Sequence, residues 1–203
     1  MTDKTPIVFI VDDDAAVLDS IGLLIKSVGL EAKLFESAQS FLDSYSTKQS
    51  GCLVLDVRMP GMSGLDLQVK LIALGCILPI IFITGHGDIP MAVKAMQYGA
   101  VDFLQKPFRD QELLDRVQNA IEEDFQTRSQ HFEKHSIEQR LAALTEREHQ
   151  VLDMIIAGKA NKLIAADLKL SQRTIEIHRA HILEKMQTRS LAHLVRMIMM
   201  VSD

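Results

Sequence analysis

The sequence predicts two domains of different class: a doubly wound α/β domain built on a five-stranded parallel sheet, then a small all-α domain of four helices. Three observations carry this. Apolar runs without polar alternation recur between helical patterns, as in strands buried on both faces of a parallel sheet. Two of these runs end in acid: residues 52–55 lead into Asp56, and residues 7–11 lead into Asp12, Asp13 and Asp14. Carboxylates therefore gather at the carboxyl edge, where open α/β sheets keep their sites. Beyond Leu144 the strand-like runs stop and capped helical patterns replace them.

Taken in order, residues 1–122 hold five strand and helix units joined by crossovers. Strand 7–11 is followed by a helix with Leu18, Ile21, Leu24, Ile25 and Val28 on one face, stopped by Gly29. Residues 31–35 are less apolar and read as an edge strand, with Ser37 as the N-cap of a helix carrying Phe41 and Leu42. After the Asp56 strand, Met59-Pro60-Gly61-Met62-Ser63-Gly64 forms a turn and residues 65–74 a helix ended by Gly75. Strand 80–83 ends in Thr84. The loop Gly85-His86-Gly87-Asp88 follows, with Asp88 as a cap and Pro90 opening a helix to Tyr98. Strand 101–104 leads to Lys106-Pro107, and a last helix starts near Asp110.

Residues 123–140 contain no glycine or proline and are rich in polar residues, so a helical linker is expected rather than a loose tether. Phe125, Phe132, Ile137 and Leu141 form an imperfect stripe on it, free to pack on either domain or on a second chain. In residues 141–203, Thr145 and Glu148 form a capping box opening a helix to about Ala157. Residues 161–168 form a short helix, Lys169-Leu170 a turn, and Ser171 caps a helix over 172–186. Ser190 opens a fourth helix through Met200. Two short helices about a tight turn fit helix-turn-helix geometry, with Ile175, Ile182 and Met186 inward. Arg173, Thr174, Glu176, Ile177, Ala180 and Glu184 then face solvent or DNA.

The five strand ends offer Asp12, Asp13, Asp56, Thr84 and Lys106 to one rim. Converging carboxylates resist joint ionisation unless a cation lies between them, and oxygen ligands suit Mg²⁺. The set makes sense for accepting a phosphoryl group. Asp56 would be the nucleophile, Asp12, Asp13 and Asp56 would hold Mg²⁺, and Lys106 and Thr84 would bind the phosphoryl oxygens. Asp14 reads as a helix-start acid alone.

Composition narrows the classes. With 47% hydrophobic and 24% charged residues the chain is an ordinary globular one. No apolar run spans a bilayer, the amino terminus carries no signal pattern, and Cys52 and Cys76 read as buried thiols, so a cytoplasmic protein is expected. Residues 1–122 carry 10 Lys/Arg against 16 Asp/Glu, whereas residues 141–203 carry 9 against 7. An acidic first part suits metal and phosphoryl chemistry, and a mildly basic second part suits a polyanion. No Walker loop or dinucleotide fingerprint is present.

Val11-Asp12-Asp13, Asp56-Val57-Arg58-Met59-Pro60, Thr84-Gly85 and Lys106-Pro107-Phe108 resemble the receiver domain of two-component response regulators, a flavodoxin-like fold, over residues 5–122. The resemblance implies Asp12 and Asp13 as acidic pocket, Asp56 as phosphoacceptor, and Arg58 as a metal-binding backbone carbonyl. It further implies Thr84 as switch hydroxyl, Phe103 as rotating aromatic in place of the commoner Tyr, and Lys106 as the cation. The run from Thr84 to Pro90 is similar to the FixJ-type subgroup.

Leu144-Thr145-Glu146-Arg147-Glu148, Asn161-Lys162-Leu163-Ile164-Ala165, Arg173 through Arg179, and Lys185-Met186 resemble the LuxR-type DNA-binding domain over residues 141–200. That likeness implies Asn161, Lys162, Thr174, His178 and Lys185 near phosphates, Glu176, Ile177 and Ala180 at base edges, and Arg173 and Arg179 in either role. It also implies dimerisation through the last helix, with Leu191, Leu194, Val195 and Ile198. In the receiver, the dimer face is placed on the helix from Pro90 to Tyr98, with Met91, Lys94 and Ala95, together with strand five and the last receiver helix.

The implied protein is a transcription factor rather than a turnover enzyme, apart from slow self-dephosphorylation. A sensor histidine kinase would phosphorylate Asp56, a homodimer would form, promoter double-stranded DNA would be bound, and RNA polymerase is a further partner. The rival is an aspartyl phosphohydrolase of the haloacid dehalogenase kind, for which Asp12-Asp13-Asp14 has the spacing. That family expects Thr or Val where this chain has Ala16, and residues 141–200 would be left unexplained.

Overall fold

A computed structural model describes residues 5–47, 49–85 and 89–202. It divides into two compact units, Met1–Arg128 and Ser129–Asp203. In chain order the elements are β1 (Ile7–Val11), α1 (Ala15–Ser27), β2 (Glu31–Phe35), α2 (Ala38–Ser44), β3 (Gly51–Asp56), α3 (Gly64–Ala73) and β4 (Ile80–Thr84). There follow α4 (Ile89–Gln97), β5 (Asp102–Gln105), α5 (Asp110–Ala142), α6 (Glu146–Ile156), α7 (Asn161–Leu168), α8 (Gln172–Lys185) and α9 (Leu191–Ser202). The sheet is parallel throughout in the order β2-β1-β3-β4-β5, so the less apolar β2 lies at an edge as its composition requires. The fold class is the expected one in both units. Strand five is displaced by one residue from its expected span, and the Asp88 cap falls outside the described residues.

Strand alternation sorts the sheet's side chains into two cores. Phe9, Val11, Leu53, Leu55, Ile80 and Phe82 pack with Ala38, Phe41, Leu67, Leu71 and Ala95 of α2, α3 and α4. Val8, Ile10, Cys52, Val54, Ile81, Ile83 and Leu104 pack with Leu18, Ile21, Ile25, Leu113 and Val117 of α1 and α5. Every residue of β3 is buried, because helices cover both faces of this central strand. Each large apolar side chain fully removed from water contributes about 2 kcal/mol. Both cysteines are free, and burial pushes the Cys52 thiol well above its usual range.

At the amino end of β3 the backbone passes so close to β1 that a Cβ on Gly51 would lie 1.8 Å from the Ile7 carbonyl oxygen. With φ at +134° this position needs glycine twice over. The Gly51 N–H donates to the buried carboxylate of Asp124 on α5, at 2.9 Å. Arg128 neutralises that carboxylate at 2.8 Å and donates to the Thr47 carbonyl. A buried acid on α5 is thus paired and hydrogen-bonded, as it must be.

In the second unit α6 to α9 surround Val151, Leu152, Ile164, Ile175, Ile182, Met186, Leu194 and Met197. Thr145 and Glu148 form the expected capping box at α6, and Ser171 caps α8. Lys169, in the left-handed region at φ 54°, ends α7, and the Arg147 guanidinium donates to the terminal Leu168 carbonyl. Of the stripe on α5, Ile137 and Leu141 join this core, whereas Phe125 and Phe132 are exposed.

Candidate functional site

Sheet register sets the rim. Val11 pairs with Leu55, so Asp12 and Asp56 end adjacent strands at one level; Thr84 pairs with Gln105, which puts Lys106 one step beyond. Alternation then assigns sides. Asp12, Asp56 and Lys106 continue the parity of Ile10, Val54 and Leu104, while Thr84 and Phe103 continue that of Phe82 toward α4. The Phe103 ring lies 6.3 Å from that of Phe82.

The Lys106 ammonium donates to Asp12 Oδ2 at 2.6 Å and to Asp56 Oδ1 at 2.9 Å. Both carboxylates are buried. Asp12 Oδ1 accepts from the Asp14 N–H, and Asp56 Oδ2 accepts from the Arg58 N–H at 2.6 Å. Burial raises Asp12 above the usual carboxylate range, more than Lys106 and the Asp14 amide hold it down. For Lys106, burial works downward, yet the two carboxylates outweigh it and raise the ammonium above its ordinary value. Two acids against one cation leave the pocket net negative and its acceptors incompletely matched.

The donors fit a hard divalent cation only in part as expected. Among the described residues no three acidic, imidazole or thiol groups converge on a metal position. Asp13, expected beside Asp12 and Asp56, lies two residues past the end of β1 and is exposed at the rim. Asp14 serves as the α1 N-cap, accepting from the Ala16 N–H. Mg²⁺ takes one or two carboxylates and keeps waters, so Asp12, Asp56 and the Arg58 carbonyl remain a sufficient oxygen set.

Gly64 carries a constraint that the sequence did not announce. A Cβ there would lie 2.2 Å from the Asp56 carbonyl oxygen, and the Gly64 N–H donates to Val57 at 2.9 Å. The start of α3 is thereby sewn to the backbone of Asp56. The only advance signal is the glycine directly after Ser63.

On α8, Ile175 and Ile182 are fully buried, and Arg173, Glu176, Ile177 and Ala180 are exposed. Lys162 of α7 is exposed and Thr174 half-buried. Three residues assigned to DNA are engaged within the protein. Arg179 donates to Asn161 Oδ1 at 2.9 Å, and Lys185 donates to the buried Glu148 carboxylate at 2.7 Å and to the Ala143 carbonyl. Lys185, assigned near phosphates, is half-exposed and already pairs with Glu148. His178 is half-buried, with Nδ1 enclosed and unbonded among the described residues.

Two dimer-face assignments are also corrected. Ala95 is 0% exposed and Leu194 1%, each turned into its own unit's core by helical spacing. Lys94 is exposed, and α4 presents Ile89, Val93 and Met96 outward beside it, with Met91 half-buried. On α9, Leu191 is exposed and Val195 and Ile198 are half-buried.

Residues 8–118 match the response regulator receiver domain, and residues 142–198 match the bacterial regulatory proteins of the luxR family. Nodulation protein W of Bradyrhizobium diazoefficiens is 50% identical over 191 residues, covering 94% of this chain and 84% of that one. The transcriptional regulatory protein FixJ of Rhizobium meliloti is 45% identical over 197 residues, 97% and 96% of the two chains. The solved structure of the response regulator StyR superposes with a TM-score of 0.89 at 45% identity, over 96% of this chain and 98% of that one. With an acidic, lysine-bearing sheet rim in one unit and a helix-turn-helix in the other, the chain belongs to the two-component response regulators that pair a receiver domain with a LuxR-type DNA-binding domain.

Proposed function

We propose that this chain is a cytoplasmic transcription factor switched by phosphorylation of Asp56 by a sensor histidine kinase. Residues 1–122 act as receiver, 123–140 as helical linker and 141–203 as DNA-binding domain. The observation that carries this is the Lys106 ammonium held jointly by Asp12 and Asp56 at the end of a parallel sheet. A cation already fixed over the carboxylate is placed for the oxygens of an incoming phosphoryl group.

One Asp56 carboxylate oxygen attacks phosphorus. The new O–P bond forms as the P–N bond of the donor phosphohistidine breaks, and its electron pair returns to the imidazole. Lys106 and the Arg58 N–H hold the acceptor in place. Asp12, Asp13, Asp56 and the Arg58 carbonyl would hold Mg²⁺; when bound, the ion neutralises charge on the transferring group. The added charge on Asp56 then draws Thr84 and Phe103 inward, on the side facing α4.

The face of α4, β5 and α5 then pairs with a second copy, α9 adds a second contact, and two α8 helices reach promoter DNA together. Lys162, Arg173 and Thr174 contact phosphates, and Glu176, Ile177 and Ala180 meet base edges. Affinity rises because binding becomes bivalent, with RNA polymerase a further partner at the promoter.

The test is Asp56→Asn in the full chain. The variant should take no phosphoryl group from acetyl phosphate, and its dimer fraction and DNA affinity should no longer respond to that donor. A variant that still responds overturns the reading.

A further inference from the structure

Gln68 lies one turn into α3 and is 1% exposed. Its Nε2 donates to the Ala95 carbonyl at 3.0 Å and to the Tyr98 carbonyl at 3.2 Å, both at the carboxyl end of α4. Its Oε1 is buried with no hydrogen-bond partner among the described residues. A buried amide that spends both donors and leaves its acceptor unmatched makes a hold weaker than its two bonds suggest.

The two ends of this clamp connect different parts of the switch. Behind Gln68, α3 begins at Gly64, bonded to Val57 beside Asp56, and is fixed by the Ser63–Asp66 capping box. Leu67 and Leu71 bury α3 on the sheet, so it is packed continuously with the rim turn. Ahead of Gln68, α4 fully buries only Ala95 among its described residues, while Ile89, Val93 and Met96 stay exposed. A helix so lightly packed is placed largely by what holds its end.

We infer that Gln68 is a positioning residue that holds the carboxyl end of α4 in the resting arrangement and releases it when Asp56 is phosphorylated. It is a second route from the rim to the α4 face, separate from Thr84 and Phe103. Its half-matched amide keeps the hold small enough for the new charge to overcome. This rests on the phosphorylation reading above.

The test uses the full chain, wild type and Gln68→Met, with and without acetyl phosphate and Mg²⁺. Sedimentation gives the dimerisation constant, intact mass the phosphorylated fraction, and hydrogen exchange the protection of Gly99 and Ala100. Gln68→Met should accept phosphate as wild type does, yet dimerise about tenfold more tightly without phosphodonor, the worth of one to two net hydrogen bonds. In wild type, phosphorylation should speed exchange at Gly99 and Ala100 several-fold, a result that does not depend on the variant folding. A wild type that dimerises on phosphorylation with unchanged exchange there overturns the clamp alone, as does a Gln68→Met chain matching wild type in both states. A wild type that ignores the phosphodonor overturns the phosphorylation reading and the release together.

Discussion

Replacing Lys185 by Met removes an ammonium but keeps most of its stem, leaving the Glu148 carboxylate, 3% exposed, with Thr145 and with His181 at 4.0 Å. Burial pushes Glu148 upward, yet Lys185 at 2.7 Å and the Thr145 N–H and hydroxyl together bring it from 4.5 down to about 2. Because the Lys185 ammonium is partly exposed and screened, that depression is linked to about 1–2 kcal/mol of folding stability. Because the folded value is the lower one, the contribution is complete above about pH 5 and disappears as pH falls through about 2. Lys185→Met should therefore cost the second unit about 1–2 kcal/mol at pH 7, and the difference from wild type should close as Glu148 protonates. The chain has no tryptophan, so urea unfolding is best followed through the methyl signals of Met154, Met186 and Met197, all in that unit's core. A loss below about 0.5 kcal/mol at pH 7, or one that persists undiminished at pH 3, would refute the assignment of Lys185 to Glu148.

Lys162→Ala should flatten the salt dependence of DNA binding by about one unit of slope, whereas Lys185→Met should leave that slope unchanged; titrations at several salt concentrations separate the two. Gly64→Ala forces a Cβ to 2.2 Å from the Asp56 carbonyl, so a loss of about 2 kcal/mol and slower phosphorylation are expected in thermal melts and phosphodonor time courses. Since burial raises Asp12, its charged form costs stability above its folded value and a bound cation relieves that cost. Mg²⁺ should accordingly raise Tm at pH 7, less so as pH falls and Asp12 protonates, and barely at all in Asp12→Asn. Glu176 is an exposed acceptor on α8 with the chemistry to take a cytosine amino proton. Glu176→Ala should relax selection at one operator position by about 1–3 kcal/mol in a binding-site selection experiment, and unchanged selection there would remove Glu176 from base readout.

Much of this was readable in the chain because local chemistry decides it. The spans of β1, β2 and α7 and the caps at Ser37, Thr145 and Ser171 follow from apolar run length and short-range hydrogen bonding alone. What escaped depends on residues far apart. Lys185 reaches Glu148 across 37 positions and Gln68 reaches Ala95 across 27, and no spacing rule advertises either. Ala95 and Leu194 were misplaced for a related reason: an apolar side chain on an amphipathic helix reads the same whether its partner is its own core or another molecule.

Alternation also explains why a rim with so few parts can both hold chemistry and report on it. Asp12, Asp56 and Lys106 lie on the α1 and α5 side of the sheet's parity, where one ammonium is shared between two buried carboxylates. Thr84 and Phe103 lie on the other side, which is covered by α2, α3 and α4. Charge added at Asp56 must therefore act across the strand ends to reach α4, and the turn from Val57 to Gly64 crosses in that same direction. Moving the switch hydroxyl to position 85, one residue past the end of β4, would remove it from the α4 side of the rim that Thr84 holds by strand parity. If the proposed reading holds, a Thr84→Ala, Gly85→Thr double variant should accept phosphate on Asp56 yet transmit nothing to dimerisation. A double variant that dimerised on phosphorylation as wild type does would show that the side of the sheet is immaterial to the switch.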